Sequence, residues 1–186
     1  MNAHALIACL FILSFSVFGQ NEISFSHVTT KHGLSEGSVH TILQDRRGFL
    51  WFGTQDGLNR YDGYTFVTYR QGTQLYALSD NFIYTLCEDT SNGIWIGTFN
   101  QGLCRFDRVR ESFTVFKHDS TDATSLSDNT IRALYRDRKG SLWIGTFRGG
   151  LDQMTADGKF KHYRHDPSDP ASLSSGPSAP WRWASI

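Results

Sequence analysis

No tract of basic residues longer than two occurs in the sequence, and 18 lysines and arginines are balanced by 18 aspartates and glutamates. That balance offers no electrostatic footprint for a nucleic acid. After residue 20 no apolar run approaches the ~20 residues that a membrane-spanning helix needs. Nor does any stretch of ten residues there combine helical periodicity with freedom from chain breakers, which argues against a helical protein. Proline is scarce at four and cysteine at three. What the chain has instead is 17 glycines and an aromatic content of 14%, a composition that suits short strands joined by tight turns.

The first nineteen residues read separately. They are apolar from Ala5 to Phe18, broken only by small or hydroxyl side chains, and carry no charge. The run is short for a bilayer span, and Val17 and Gly19 are small enough to flank a cleavage site, so residues 1–19 are expected to be a secretory signal peptide. The absence of Lys or Arg before the run leaves a buried N-terminal segment as the alternative. A secreted chain is expected in the periplasm or outside the cell. It keeps Cys87 and Cys104. An oxidising compartment permits a disulfide between them, and two small buried residues are the other reading. Neither has metal-ligand spacing around it.

Nearly the same phrase occurs three times: "WFGTQDGL" from residue 51, "WIGTFNQGL" from 95 and "WIGTFRGGL" from 143. Trp51, Trp95 and Trp143 stand 44 and 48 residues apart, and Asp45, Asp89 and Asp137 each precede their Trp by six. A Leu-Ser pair opens each unit (Leu34-Ser35, Leu78-Ser79, Leu126-Ser127), and a fourth pair stands at Leu173-Ser174. An aromatic pair closes each: Phe66 and Tyr69, Phe113 and Phe116, Phe160 and Tyr163. A period in the mid-forties fits propeller blades or helical repeats. The units divide into four runs of about five residues, rich in β-branched and aromatic side chains and punctuated by Gly and Asp, among them the hairpin signal Asp62-Gly63. The expected fold is therefore all-β, with three four-stranded antiparallel blades of an incomplete β-propeller.

A blade alone cannot bury both faces, so stacked blades repeat the same packing residues. On this reading Trp51, Trp95 and Trp143 are wedges between sheets. Gly53, Gly97 and Gly145, two positions on and pointing to the same face, leave room for the adjacent blade. Thr54, Thr98 and Thr146 complete the strand motif, and Gly57, Gly102 and Gly150 hold the turn into the third strand, where positive φ suits glycine. The expected divisions are 20–33, an orphan fourth strand that would complete the last blade of a ring; 34–77, 78–125 and 126–172, blades one to three; and 173–186, an aborted and disordered fourth unit. There, Pro177 and Pro180 stand where a strand should continue. Three blades are fewer than the four to eight of a closed ring, so the chain is expected to be a truncated or frameshifted piece, associating with itself or with a companion propeller fragment.

These residues resemble the two-component regulator propeller repeat, whose hallmarks match "LSDNTIRALYRDRKGSLWIGT" and the following "GGL". The resemblance runs from about 23 to 176 and recurs three times in register. It implies membership of a family whose repeats build large periplasmic propellers. These precede a membrane span and an output domain, often a histidine kinase or sometimes a diguanylate cyclase. It also implies sensing, frequently of oligosaccharides.

No catalytic constellation stands out, and no catalytic, cofactor or metal residue is expected. The recurrent Asp45, Asp89 and Asp137 read as turn residues. His118 and His165 belong to different blades and do not make a ligand pair. The aspartates and serines of "HDSTDATS" and "HDPSDPAS" read as ordering long links between blades. Aromatics at 61, 64, 69 and 76 are candidates for sugar contact, with packing as the alternative. The leading function is an extracytoplasmic binding and sensing module with a carbohydrate ligand. The alternatives are a protein-interaction scaffold and a propeller lyase or hydrolase.

Overall fold

The computed structural model describes residues 24–72 and 77–174. Within them, twelve strands form three four-stranded antiparallel sheets. The first holds β1 (Thr41–Gln44), β2 (Leu50–Gly53), β3 (Leu58–Tyr61) and β4 (Phe66–Tyr69); the second, β5 (Ile83–Glu88), β6 (Gly93–Thr98), β7 (Leu103–Asp107) and β8 (Ser112–Phe116). The third holds β9 (Ile131–Arg136), β10 (Leu142–Thr146), β11 (Leu151–Met154) and β12 (Phe160–Tyr163). Spatial order equals chain order in every sheet. The described residues contain no α-helix, only a 3-10 turn over Thr30–His32.

The turns follow from local chemistry. Between β1 and β2, Asp45 Oδ1 accepts the amides of Arg47 and Phe49 at 2.9 and 3.0 Å. Between β3 and β4, Asp62 Oδ1 accepts those of Tyr64 and Thr65, and Gly63 takes φ 99°. Between the second and third strands of each blade, Gly57, Gly102 and Gly150 adopt φ of 110°, 85° and 91°. A Cβ on Gly57 would also lie 2.4 Å from the Tyr69 carbonyl. These three positions need glycine twice over.

The sheets stack in series. β5 packs on β1 and β2, and β9 packs on β5 and β6. The first core joins Trp51 and Leu58 to Ile83, Ile94, Ile96 and Phe106; the second joins Trp95 and Leu103 to Ile131, Ile144 and Phe160. β6 is buried along its whole length because a sheet covers each of its faces. Close approach depends on missing side chains: a Cβ on Gly53 would lie 2.7 Å from a methyl of Ile83, and one on Gly97 2.7 Å from a methyl of Ile131.

One feature differs from the sequence reading, and one choice that it left open is decided. Ser24–Thr29 form no strand and are exposed, because a fourth strand needs a third to pair with and none among the described residues is offered to it. Cys87 and Cys104 are both free. Alternation along the sheet sends Cys104 into the first core and Cys87 towards the second, so the two thiols lie on opposite faces. Burial raises the pKa of both. The expected signal peptide at 1–19, Tyr76, and the aborted unit beyond Ser174 lie outside the described residues.

Candidate ligand-binding face

Each blade has two ends, and the repeat positions sort between them. At the end bearing the β1–β2, β5–β6 and β9–β10 turns, the recurrent aspartates do structural work. Trp51 Nε1 donates to Asp45 Oδ2 at 2.9 Å, and Trp143 Nε1 donates to Asp137 Oδ2 at 3.0 Å. In the middle blade Arg105 Nε takes that place on Asp89, at 2.7 Å. Burial works against the charge of Asp45, but the Trp51 indole, the Arg108 guanidinium and the Arg47 amide outweigh it and hold its pKa below 3.8. The constant spacing of six between Asp and Trp was visible in the sequence. Its meaning as an indole acceptor was not.

At the opposite end, the openers dock onto the glycine turns. Leu34, Leu78 and Leu126 are buried. Ser35 donates its amide to Asn59 Oδ1 and shares a hydrogen bond with Thr54, both at 3.0 Å. Thr54, Thr98 and Thr146 each donate Oγ1 to the carbonyl of Gly57, Gly102 and Gly150 respectively, at 2.7 to 3.0 Å. Gly57 and Gly102 in turn donate their amides to Asn81 and Asn129 of the next unit, both at 2.8 Å. The long links are ordered as the sequence suggests: Asp119 accepts from Thr121, Asp122 from Thr124, and His118 Nδ1 donates to the Leu126 carbonyl at 2.6 Å.

This second end carries an aromatic and arginine platform. Phe82 stacks on Tyr84 at 4.8 Å and on Phe99 at 5.1 Å, and the His40 ring lies 4.9 Å from Phe82. The Arg132 guanidinium sits 4.2 Å from the Tyr84 ring centre and 4.8 Å from that of Phe147. Phe99 and Phe147 remain 43% and 54% exposed, a high value for large apolar rings held in place by neighbours. The backbone aims two of these groups. Pairing in β5 steps from Ile83 to Thr85, leaving Tyr84 as the extra residue of a bulge. Pairing of β10 with β9 steps from Ala133 to Ile131, doing the same for Arg132. Bulges of this kind re-aim side chains at functional edges.

The aromatics that the sequence singles out for sugar contact lie elsewhere. Tyr61 stacks on Phe66 at 4.5 Å, and Tyr69 packs 4.9 Å from Phe106 in the first core. Tyr64 is exposed, but on the β3–β4 turn at the other end of the sheet. The platform residues were legible in a different way. His40, Tyr84 and Arg132 each stand six residues after an opener leucine, and Gln55, Phe99 and Phe147 each follow a Gly-Thr. At the first of these positions all three units differ, and at the second the first unit departs from the other two.

Residues 33–56, 77–100 and 125–148 match the family described as two component regulator propeller. The chain is built of two-component regulator propeller repeats. Among solved structures, this propeller chain is similar to the extracellular domain of BT3049 from B. thetaiotaomicron, described as a hybrid two component system. The TM-score is 0.70 at 32% identity, covering 74% of this chain and 20% of that one. It is also similar to the extracellular domain of BT4673 from the same organism, with TM-score 0.63 at 25% identity, covering 80% of this chain and 19% of that one. A 63-residue stretch, 33% of the chain, is 46% identical to histidine kinase P4 of Formosa agariphila, of which it covers 5%. The propeller chain thus spans about a fifth of the length of the solved structures it matches. Among the described residues no helix is long and apolar enough to cross a membrane.

Proposed function

We propose that this propeller chain is the ligand-binding part of an extracytoplasmic sensor in a signal-transduction system, that its ligand is an oligosaccharide, and that it binds without catalysis. The observation that carries the reading is the platform of Phe82, Tyr84, Phe99 and Phe147 with Arg132 and His40 among them. Sugar rings present apolar C–H faces edged by hydroxyls. Aromatic rings accept the faces, while Arg, His and Gln side chains meet the hydroxyls. Similarity to the extracellular domains of a hybrid two component system and of a one component system supports the sensing role and the location.

The test is calorimetric titration of the chain with a panel of neutral oligosaccharides, repeated with Phe99→Ala and Arg132→Ala. Binding to one sugar class is expected, weakened at least ~10-fold, or ~1.4 kcal/mol, in each variant without change in far-UV circular dichroism. Binding that neither variant weakens would remove the platform from the reading. Absence of sugar binding alongside capture of a defined protein partner through the same residues would replace the sensor by an interaction scaffold.

A further inference from the structure

The turn end holds a cleft that the sugar platform does not use. Between the first and second blades that position is filled. Arg108, on the β7–β8 turn, donates to Asp45 Oδ2 at 2.6 Å and Glu88 Oε1 at 2.7 Å, and its side chain is 4% exposed. In the next seam the residues in register differ. Ala156 stands where Arg108 does, each thirteen residues after its Trp, and Arg136 stands where Glu88 does, each seven before. The arginine plug is gone and an acid has become a base. What remains is an open cleft of ≈ 460 Å³ between the second and third blades.

The lining is distinctive. Three basic side chains, Arg105, Arg136 and Lys139, face one acid, Asp89. Asp89 is already engaged by Arg105 at 2.6 Å and by the Ser91 hydroxyl at 2.7 Å. Arg136 donates to Thr90 Oγ1 at 2.8 Å and stands 3.9 Å from Asp89. No acid among the described residues forms an ion pair with the exposed Lys139. The floor is apolar, made by Trp95, Phe116 and Met154. A pocket of this volume takes a small molecule, and three cations sharing one carboxylate leave two net positive charges that call for an anion.

We infer that the cleft between the second and third blades binds a small carboxylic acid whose carboxylate meets Arg136 and Lys139 and whose ring or carbon skeleton lies on Trp95, Phe116 and Met154. A planar guanidinium matches a carboxylate in a two-bond fork. Asp89 close by disfavours more heavily charged anions. The acid group can come from a uronic acid or from a non-sugar aromatic acid.

The site is separate from the aromatic platform, so its test stands apart. The whole chain is titrated at low salt with glucuronate, benzoate, glucose and inorganic phosphate. Saturable binding of at least one of the two carboxylates is expected, with glucose and phosphate at least ~10-fold weaker. The tighter of glucuronate and benzoate identifies the source of the acid. Affinity should fall as salt rises. The double variant Ala156→Arg with Arg136→Glu rebuilds the plug of the neighbouring seam and should abolish binding while keeping the native circular dichroism. If that variant does not fold, Arg136→Gln and Lys139→Gln decide, each expected to weaken binding at least ~5-fold. Phe99→Ala should leave carboxylate binding unchanged. Equal binding of glucose or phosphate, no carboxylate binding, or full affinity in the glutamine variants overturns the inference.

Discussion

The seam between the first and second blades and the seam between the second and third share one frame. Each has a Trp, a Gly two residues on and an Ile from the next blade pressed against that Gly. They part company at the turn end. The first seam is closed by a buried guanidinium between two carboxylates, with Trp51 fully buried; the second is open, and Trp95 borders a cleft. Stacking is thus set by the apolar face and the glycines, while two residues at the turn end decide whether a seam is sealed. A repeat can keep its architecture and still change what each junction offers to solvent.

The sharpest way to break this contrast is at the plug. Arg108→Ala leaves the Asp45 carboxylate, whose side chain is 0% exposed, without its cation, and a loss of ~3–5 kcal/mol is expected by urea unfolding. Ala156→Ser, in register but exposed, should move the same midpoint little. Trp51→Ala should cost ~3–5 kcal/mol, Trp95→Ala less, and the half-buried Trp143 least. Equal losses for all three tryptophans would show that the seams do not differ.

Position in the repeat alone places Trp95 among the costliest residues to remove, because its blade has neighbours on both sides. In the structure Trp51 and Trp95 each pack into the seam with the following blade, and Trp143 has no following blade among the described residues, so the decisive variable is how well that one seam is closed. The sheets, their sequential order and the glycine turns were legible because they repeat: a period in the mid-forties, four short apolar runs and Gly at fixed offsets leave few other solutions. The plug and the platform were hidden because they rest on differences between units, such as Arg108 against Ala156 or Gln55 against Phe99. A reading that aligns repeats to find what agrees passes over these positions. The β-bulges that aim Tyr84 and Arg132 are a matter of ladder register, which depends on the partner strand as much as on the local sequence.

Smaller effects sharpen the comparison further. Gly53→Ala and Gly97→Ala each put a Cβ within 2.7 Å of side-chain atoms of both the same and the next blade, and overpacking of this kind costs ~1–3 kcal/mol. Gly145→Ala meets Ala133 at 3.4 Å and should be nearly neutral in thermal unfolding. A loss at Gly145 as large as at Gly97 would mean that something other than the described blades covers that face.

The mildest perturbation is acid. Burial opposes the charge of Asp45 and Asp89, but their hydrogen bonds and arginines hold both below 3.8. Carboxyls depressed in the folded state stabilise fully above the unfolded value and lose that contribution as pH falls through the folded one. The unfolding midpoint should therefore be insensitive to these groups from pH 7 to about 5 and drop below about 4. A midpoint that rises on acidification below pH 4 would contradict the role given to these carboxylates.

The strictly sequential strand order has a kinetic consequence. Every strand pairs with its neighbour in the chain, so a blade needs only hairpin closures, which take ~1–10 μs. Docking of one blade on the next must wait for the next to exist. Trp51 and Trp95 are 44 residues apart, which at ~5–20 residues per second of synthesis is about 2 to 9 seconds. For that interval a formed first blade shows the face of Trp51 and Leu58 to solvent with nothing to cover it. Hairpins assemble long before their partner arrives, so the waiting time at each seam, rather than the folding of any blade, sets the window in which a nascent chain is open to misassociation.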